Sequence, residues 1–299
     1  MEINIIKHYK IYFIISGLLV LGSIFSLIFL GLKLGIDFTG GSLLEIEFKN
    51  ERLSSKAIKE KLGGLNLGEI NAAPVGEKAV ILRFKDVDEE THQKILNSLG
   101  EADFQNIEEK RFESIGPLIG KELKRKSLWA IGLVILMIIL YITYVFRKVS
   151  RPVASFKYGL AAILALTHDV LIPTGIFSFL GHFKGIEINL LFITALLTIL
   201  GFSVHDTIVV FDRIRENLKK NIGKNFQETV NLSINQTMAR SVNTSLTVLL
   251  TLLAVYVFGG ESVKYFALAL IFGIIFGTYS SIFIASPLLV VWEKWRKKT

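Results

Sequence analysis

Cysteine is absent from all 299 residues, which excludes disulfides and every form of thiol chemistry and leaves the redox compartment open. Phosphate-binding signatures are missing too, since the Gly-rich pieces GIDFTGG at 35–41 and IGPLIGKEL at 115–123 have neither Walker nor dinucleotide spacing. They read as turn punctuation, with Gly40-Gly41 and Gly116-Pro117 marking where the chain leaves or re-enters a helix. No segment gathers a nucleophile, a base and an oxyanion group, so an enzymatic reading has little support. The net charge of +8 does not mark a nucleic-acid binder, because no basic helix carries interleaved aromatics. No cofactor motif and no metal-ligand cluster is expected.

Charge is also scarce over long stretches, and there the apolar residues collect in blocks. Blocks of the roughly 20 residues needed for one helical crossing lie at about 11–32, 128–146, 158–180, 188–210, 242–258 and 265–292. Six spans follow, and the expected class is an α-helical polytopic membrane protein. The first block comes after Lys7 and Lys10, yet its run exceeds the roughly 7–15 residues of a signal h-region and no small-residue cleavage site follows. It is expected to stay as an anchor. Trp129 at the start of the second block suits an interfacial aromatic position.

Lysine and arginine in short loops are retained on the cytoplasmic side. Arg147, Lys148, Arg151 and Lys157 lie between the second and third spans; Arg213, Arg215, Lys219, Lys220, Lys224 and Arg240 lie between the fourth and fifth. The loops at 181–187 and 259–264 carry only Lys184 and Lys264. Both termini are therefore expected in the cytoplasm, with Lys294, Arg296, Lys297 and Lys298 anchoring the end beside Trp292 and Trp295. The predicted location is the cytoplasmic membrane, and the charge is mostly a topology signal.

Three parts are expected: 1–32, an N-terminal tail and first span; 33–126, an extracytoplasmic domain; and 127–299, the remaining spans with their loops and tail. The domain reads as a strand at 43–49, a helix at 54–65 with a serine N-cap and Gly63-Gly64 as its stop, a strand near 68–75 and another at 79–85. A second helix at 88–100, capped by Asp88 and ended by Gly100, and a fourth strand at 103–115 complete the order βαββαβ. That order is the split ferredoxin-like α+β arrangement. His92 is the domain's one imidazole, and no function follows from the fold alone.

Ionisable residues inside apolar spans usually face a protein interior or a watery cavity and serve ion or proton pathways. The third span carries Thr167, His168 and Asp169 about ten residues in from Tyr158, or roughly 15 Å at the helical rise. Pro173 removes the amide donor from the Asp169 carbonyl and predicts a bend beside these groups. In the fourth span Thr194, Thr198, Gly201 and His205 share one stripe, which predicts a face turned to other helices, with Asp206 about 100° round from His205. Residues 212–241 are expected as a polar link in which Ile214, Leu218 and Ile222 favour an amphipathic helix along the membrane surface. Arg240 then opens the fifth span at a depth that suits an ion pair with Asp206; an ordinary positive-inside anchor is the other reading. Thr244, Thr247 and Thr251 share a face of that span, and Gly273, Gly277 and Ser281 form a small-residue row suited to close helix packing.

The order of an apolar anchor, GIDFTGG, a small domain, GPLIGKEL, HDVLIPTGIFSFLG at 168–181 and GFSVHDTIVVFDRIREN at 201–217 resembles the SecD/SecF protein-export family, in the resistance-nodulation-division transporter superfamily. The resemblance covers nearly the whole chain and fits a separate SecF-type subunit rather than a fused SecD-SecF. It implies a SecD partner, docking to the SecYEG channel in the lipid bilayer, and a proton-motive-force-dependent action on exported unfolded polypeptide. It places the family's essential membrane carboxylate on Asp206, its nearby basic residue on Arg240 and its third-span aspartate on Asp169. His168 and His205 stand beside these carboxylates as further members of the expected ion pathway. His205 departs from the asparagine usual before that carboxylate. A small-molecule exporter of the same superfamily would want larger outside domains than about 90 residues, and a non-transporting scaffold of the translocon is the other alternative.

Overall fold

The structure, a computed structural model, describes residues 3–100, 106–147 and 153–298. Lys148, Arg151, Pro152 and the first residues of the expected fourth strand lie outside the described residues. Two compact units divide the chain: Leu34–Leu128, and Met1–Lys33 with Trp129–Thr299.

In the inserted unit, a short helix α2 (Ile36–Thr39), numbered after the membrane helix α1 (Tyr9–Phe29), precedes β1 (Gly41–Phe48). Then come α3 (Ser55–Leu62), β2 (Asn71–Val75), β3 (Ala79–Phe84), α4 (Glu89–Gly100) and β4 (Ile107–Ile115). Both helix starts are made by side chains that occupy orphan amides: Ser54 accepts from the Ala57 amide at 3.2 Å and Asp88 from the Thr91 amide at 3.0 Å. The sheet order is β2-β3-β1-β4, antiparallel throughout, which is the split ferredoxin-like topology. Alternation on β1 sends Leu44, Ile46 and Phe48 to one face, where they pack with Leu82, Ile58, Leu62, Ile95 and Leu99 as a continuous core. His92 joins this core edge, its ring stacked on Phe112 at 3.7 Å.

The two Gly-rich pieces meet inside this unit. A Cβ on Gly40 would lie 2.7 Å from the Pro117 Cα, and one on Gly120 would lie 2.9 Å from the Gly40 amide nitrogen. Gly40 also has φ +77°, so it combines a left-handed backbone with a close approach that only glycine permits.

Among the described residues six helices are long and apolar enough to cross a bilayer: Ile6–Phe29, Pro117–Val145, Phe156–Lys184, Leu190–Lys219, Phe226–Phe258 and Val263–Trp295. The corresponding elements are α1, α5 (Pro117–Val145), α6 (Ser155–Lys184), α7 (Leu190–Lys219), α8 (Phe226–Phe258), α9 (Glu261–Ser280), a π turn (Ser281–Ala285) and α10 (Ser286–Lys298). The windows of α6, α7 and the last span are half-buried or more, whereas α1, α5 and α8 turn most of their surface outward. Phe146, Tyr158 and Phe211 lock the core at one end, with the Tyr158 ring edge-on to Phe211 at 5.2 Å.

One local expectation changes. Residues 212–241 do not form a separate surface helix: α7 runs on to Lys219 and α8 begins at Phe226, so only a short turn links them. The reason is packing, because Ile214, Phe226, Val230 and Ile234 are buried together in the bundle core. The turn is held by Asn225, which caps α8 by accepting from the Glu228 amide at 2.9 Å, and by Thr229, whose hydroxyl donates to the Ile222 carbonyl at 2.8 Å. Helix α6 passes through Pro173 as one element, with the Thr174 hydroxyl donating to the Val170 carbonyl at 2.6 Å. The last span is interrupted by its π turn. Pro287 has no amide hydrogen and its ring clashes with the carbonyl four residues back, that of Phe283, which a widened turn relieves. Ser286 reinforces that turn by donating its hydroxyl to the Ser281 carbonyl at 3.0 Å.

Candidate functional site

Asp169 on α6 is fully buried. One of its oxygens lies 2.8 Å from His168 Nδ1, and the other accepts from Ser203 Oγ of α7 at 2.5 Å and Ser280 Oγ of α9 at 2.7 Å. The carboxylate thus ties three helices through two serines that sit in otherwise apolar spans. His168 is itself buried, with its ring packed near Phe276 and Tyr279 and its Nε2 without a partner.

Three residues past Ser203, on nearly the same face of α7, Asp206 is also buried. Its Oδ1 accepts from Ser241 Oγ of α8 at 2.6 Å, while its Oδ2 is buried with no hydrogen-bond partner. A buried polar atom left without a partner costs about 1–3 kcal/mol, and more when charged. Next to it Thr207 shares a hydrogen bond with Ser281 at 2.9 Å. Consecutive residues of the last span, Ser280 and Ser281, therefore serve the Asp169 and Asp206 neighbourhoods separately, immediately before and within the π turn. Turns of that type are frequent at functional sites.

Of the five residues expected at the site, the structure brings His168 to Asp169 and buries Asp206 nearby, but turns the other two away. Arg240 is exposed, and among the described residues no ion pair joins it to Asp206. One residue along a helix is about 100° of rotation, so the face that directs Ser241 at Asp206 directs Arg240 elsewhere. His205 is likewise exposed, in line with Thr194, Thr198 and Gly201, so that stripe faces out of this chain rather than towards its other helices. Thr244, Thr247 and Thr251 on α8 are exposed as well. Their hydroxyls donate to carbonyls three or four residues back, which makes a polar face tolerable in an apolar setting.

The residues that sequence reasoning missed are the serines 203, 241 and 280. A faint signal existed, because Ser203 precedes Asp206 by three residues and Ser241 adjoins Arg240. The small-residue row on the last span does pack closely, since a Cβ on Gly277 would lie 3.2 Å from Ser203 Cβ.

A bundle of six apolar helices with Asp169 and Asp206 buried among them and an inserted split ferredoxin-like domain defines a polytopic membrane protein. The family model for the C-terminal part of protein export membrane proteins SecD/SecF matches residues 94–295, and that for the SecD/SecF GG motif matches 25–51, which includes Gly40-Gly41. The chain is 44% identical over 303 residues to a protein translocase subunit SecF of Thermobaculum terrenum, covering 97% of this chain and 94% of that one. It is 39% identical to the SecF of Anaerolinea thermophila, covering 98% and 96%. Among solved structures it matches SecDF, a translocon-associated membrane protein from a Thermus species, with TM-score 0.83 and 33% identity. That match takes in 98% of this chain but 39% of the SecDF chain. A second SecDF structure, in a super-membrane-facing form, matches with TM-score 0.70. The chain belongs to the SecD/SecF protein-export family, among its SecF members.

Proposed function

We propose that this chain is the SecF half of a SecD–SecF assembly that uses the proton motive force, through Asp206, to assist late steps of polypeptide translocation beside the SecYEG channel. The observation that carries the reading is Asp206 itself, a buried carboxylate with one oxygen held by Ser241 and the other without a partner. A group so placed can take and give a proton without dismantling its surroundings, unlike Asp169, whose two oxygens are both engaged. Moving one charge through the full membrane potential is worth about 2.3 kcal/mol per 100 mV, enough to bias two helix packings when coupled to them.

The partner is supported by the open polar face. His205, Thr194 and Thr198 on α7, with Arg240, Thr244, Thr247 and Thr251 on α8, are exposed on membrane helices. Polar residues there normally meet other helices. In the assembly Arg240 approaches Asp206 only when α7 and α8 shift, so that pairing belongs to a second packing. The charge bias of the turn between α7 and α8 supports cytoplasmic termini in the cytoplasmic membrane and an outside position for the inserted domain, where it would meet emerging polypeptide.

The test is Asp206→Asn, with assembly held constant, in inverted membrane vesicles. Proton-gradient-dependent secretion should drop to the level without a gradient. Unchanged secretion would leave the chain a scaffold of the translocon.

A further inference from the structure

Helix α8 carries a hydroxyl at every fourth position for four turns: Thr229, Ser233, Thr237, Ser241 and Ser245, all of them buried. Four residues of helix advance by about 6 Å and rotate by a full turn plus about 40°, so neighbouring rungs lie one above the other and those from Ser233 to Ser241 share one side of the helix. Two rungs are tied to α7 by their contacts. Ser241 donates to Asp206 Oδ1 at 2.6 Å, and Ser233 accepts from the Asn217 amide of α7 at 2.8 Å. The rungs stop one turn beyond Ser241, where Ser245 pairs with Thr278 of α9; the next positions in the row are Leu249 and Leu253. The ladder therefore runs from Asp206 in one direction only, towards the α7–α8 turn.

Two unpartnered atoms point to something between the helices besides packing. Asn217 is fully buried, and its two amide hydrogens go to Ser233 Oγ and to Gln236 Oε1 at 2.9 Å, while its Oδ1 has no partner. Asp206 Oδ2 is the second. Buried polar atoms of this kind are commonly satisfied by water, which needs two to four polar partners. The ladder supplies them. Thr237 donates to the Ser233 carbonyl at 2.9 Å and Ser233 to the Thr229 carbonyl at 2.7 Å, so each hydroxyl has spent its hydrogen and keeps accepting lone pairs. Rungs about 6 Å apart are too distant for direct hydrogen bonds and match about two steps of a file of hydrogen-bonded waters running along them.

We propose that the ladder Ser241–Thr237–Ser233, ending at Asn217, lines a water-filled half-path that carries protons between Asp206 and the solvent at the α7–α8 turn. In the step towards the α7–α8 turn the Oδ2–H bond of a protonated Asp206 breaks, its proton joins the adjacent water, and each water passes one proton on as it receives one. A proton leaves beside Gln236, which is exposed, and Asp206 remains as the carboxylate. The hydroxyls keep their own hydrogens; they hold and orient the water. Asp169 stands outside this path, since one of its oxygens is engaged with His168 Nδ1 and the other accepts from Ser203 and Ser280. Thr237 is then a positioning residue, one that touches neither Asp206 nor bulk solvent.

The inference rests on the proton-linked reading of Asp206, and the experiment separates the two. The full chain is reconstituted with its SecD partner in vesicles, and proton flux under an imposed pH gradient is read from an entrapped pH-sensitive dye. Thr237→Val keeps the shape and removes the hydroxyl; it should slow the flux by about tenfold or more, while Thr237→Ser should keep it near the parent rate. Ser233→Ala provides a second break if the valine variant fails to assemble. Asp206→Asn should abolish the flux. Parental flux in Thr237→Val and Ser233→Ala, with none in Asp206→Asn, overturns the half-path and leaves Asp206 as the proton site. Parental flux in Asp206→Asn overturns both.

Discussion

Ser241 on α8 donates its hydroxyl to Asp206 on α7 across 2.6 Å, and its neighbour in sequence, Arg240, faces out of the chain. The two positions should therefore respond oppositely to truncation. Ser241→Ala leaves the buried carboxylate without a donor and should lower the stability of the solubilised chain by about 1–3 kcal/mol. Arg240→Ala should change it by no more than about 0.5 kcal/mol while weakening assistance to secretion. Thermal unfolding of both variants, alongside Ser241→Thr as the conservative control, checks this.

Asp169 binds three helices, so its removal should cost more than that of Asp206. Asp169→Ala strands the hydroxyl of Ser203, leaves Ser280 only the Gly277 carbonyl at 3.1 Å and opens a cavity, with an expected loss of about 3 kcal/mol or more. Asp169→Asn should cost well under half of that, because the amide oxygen still accepts from both serines and a neutral His168 can change tautomer to accept from the amide nitrogen. Melting temperatures of the two variants decide it. A larger loss in the asparagine variant would mean that the negative charge itself, rather than the hydrogen bonding, holds the helices.

The contact between the two Gly-rich pieces makes Gly120 irreplaceable on steric grounds. An added Cβ meets the Gly40 amide nitrogen at 2.9 Å and the Phe38 carbonyl at 3.3 Å, both backbone atoms that cannot swing aside. Gly120→Ala should destabilise by about 1–3 kcal/mol, whereas Gly116→Ala, with nothing within 4 Å, should be near neutral. Protease resistance of the inserted unit within the full chain gives the comparison.

Asp88 offers a pH signature outside the membrane. The hydrogen bonds from the Thr91 side chain and amide hold its carboxyl below the ordinary value of 3.8. A group whose folded pKa is depressed stabilises above its unfolded pKa and loses that contribution as pH falls through the folded one. Asparagine caps a helix about as well but does not titrate. Asp88→Asn should thus protect α4 less than aspartate at neutral pH, and the two should protect equally once the pH has fallen below the depressed folded pKa of Asp88. Hydrogen exchange of the α4 amides, referenced to the parent chain at each pH, reads the difference.

The six spans and the helix caps at Ser54 and Asp88 were legible in the sequence because each depends on neighbours in the chain: run length for the spans, one side chain and one amide for the caps. The serine partners of the two aspartates were not, because Ser203–Asp169 and Ser280–Asp169 join residues 34 and 111 apart. A serine in an apolar helix carries no local mark of what it faces. For Arg240 the depth along the helix could be counted, but its rotational phase, which turns it out of this chain, is set by packing. The same limit explains residues 212–241, since Ile214 and Leu218 have the spacing of an apolar face whether it lies on lipid or inside a helical hairpin.

Pro287 had the opposite standing, a visible residue whose consequence needed the fold. It lies just after the π turn, whose wide geometry spares the Phe283 carbonyl a clash with the proline ring. The turn inserts one residue between two packed faces: Ser280 and Ser281 engage Asp169 and Thr207, while Leu289 and Val290 are buried in the bundle core. Pro287→Ala restores an amide that can donate to the Phe283 carbonyl, so the turn can close to an ordinary helix. Closing it rotates one flank against the other by about 100°, and both sets of contacts cannot then be kept. The expected result is slower hydrogen exchange across residues 281–287 together with a several-fold loss of proton-dependent secretion. Slower exchange with unchanged secretion would reduce the turn to an accommodation of proline, with no part in linking the two aspartates.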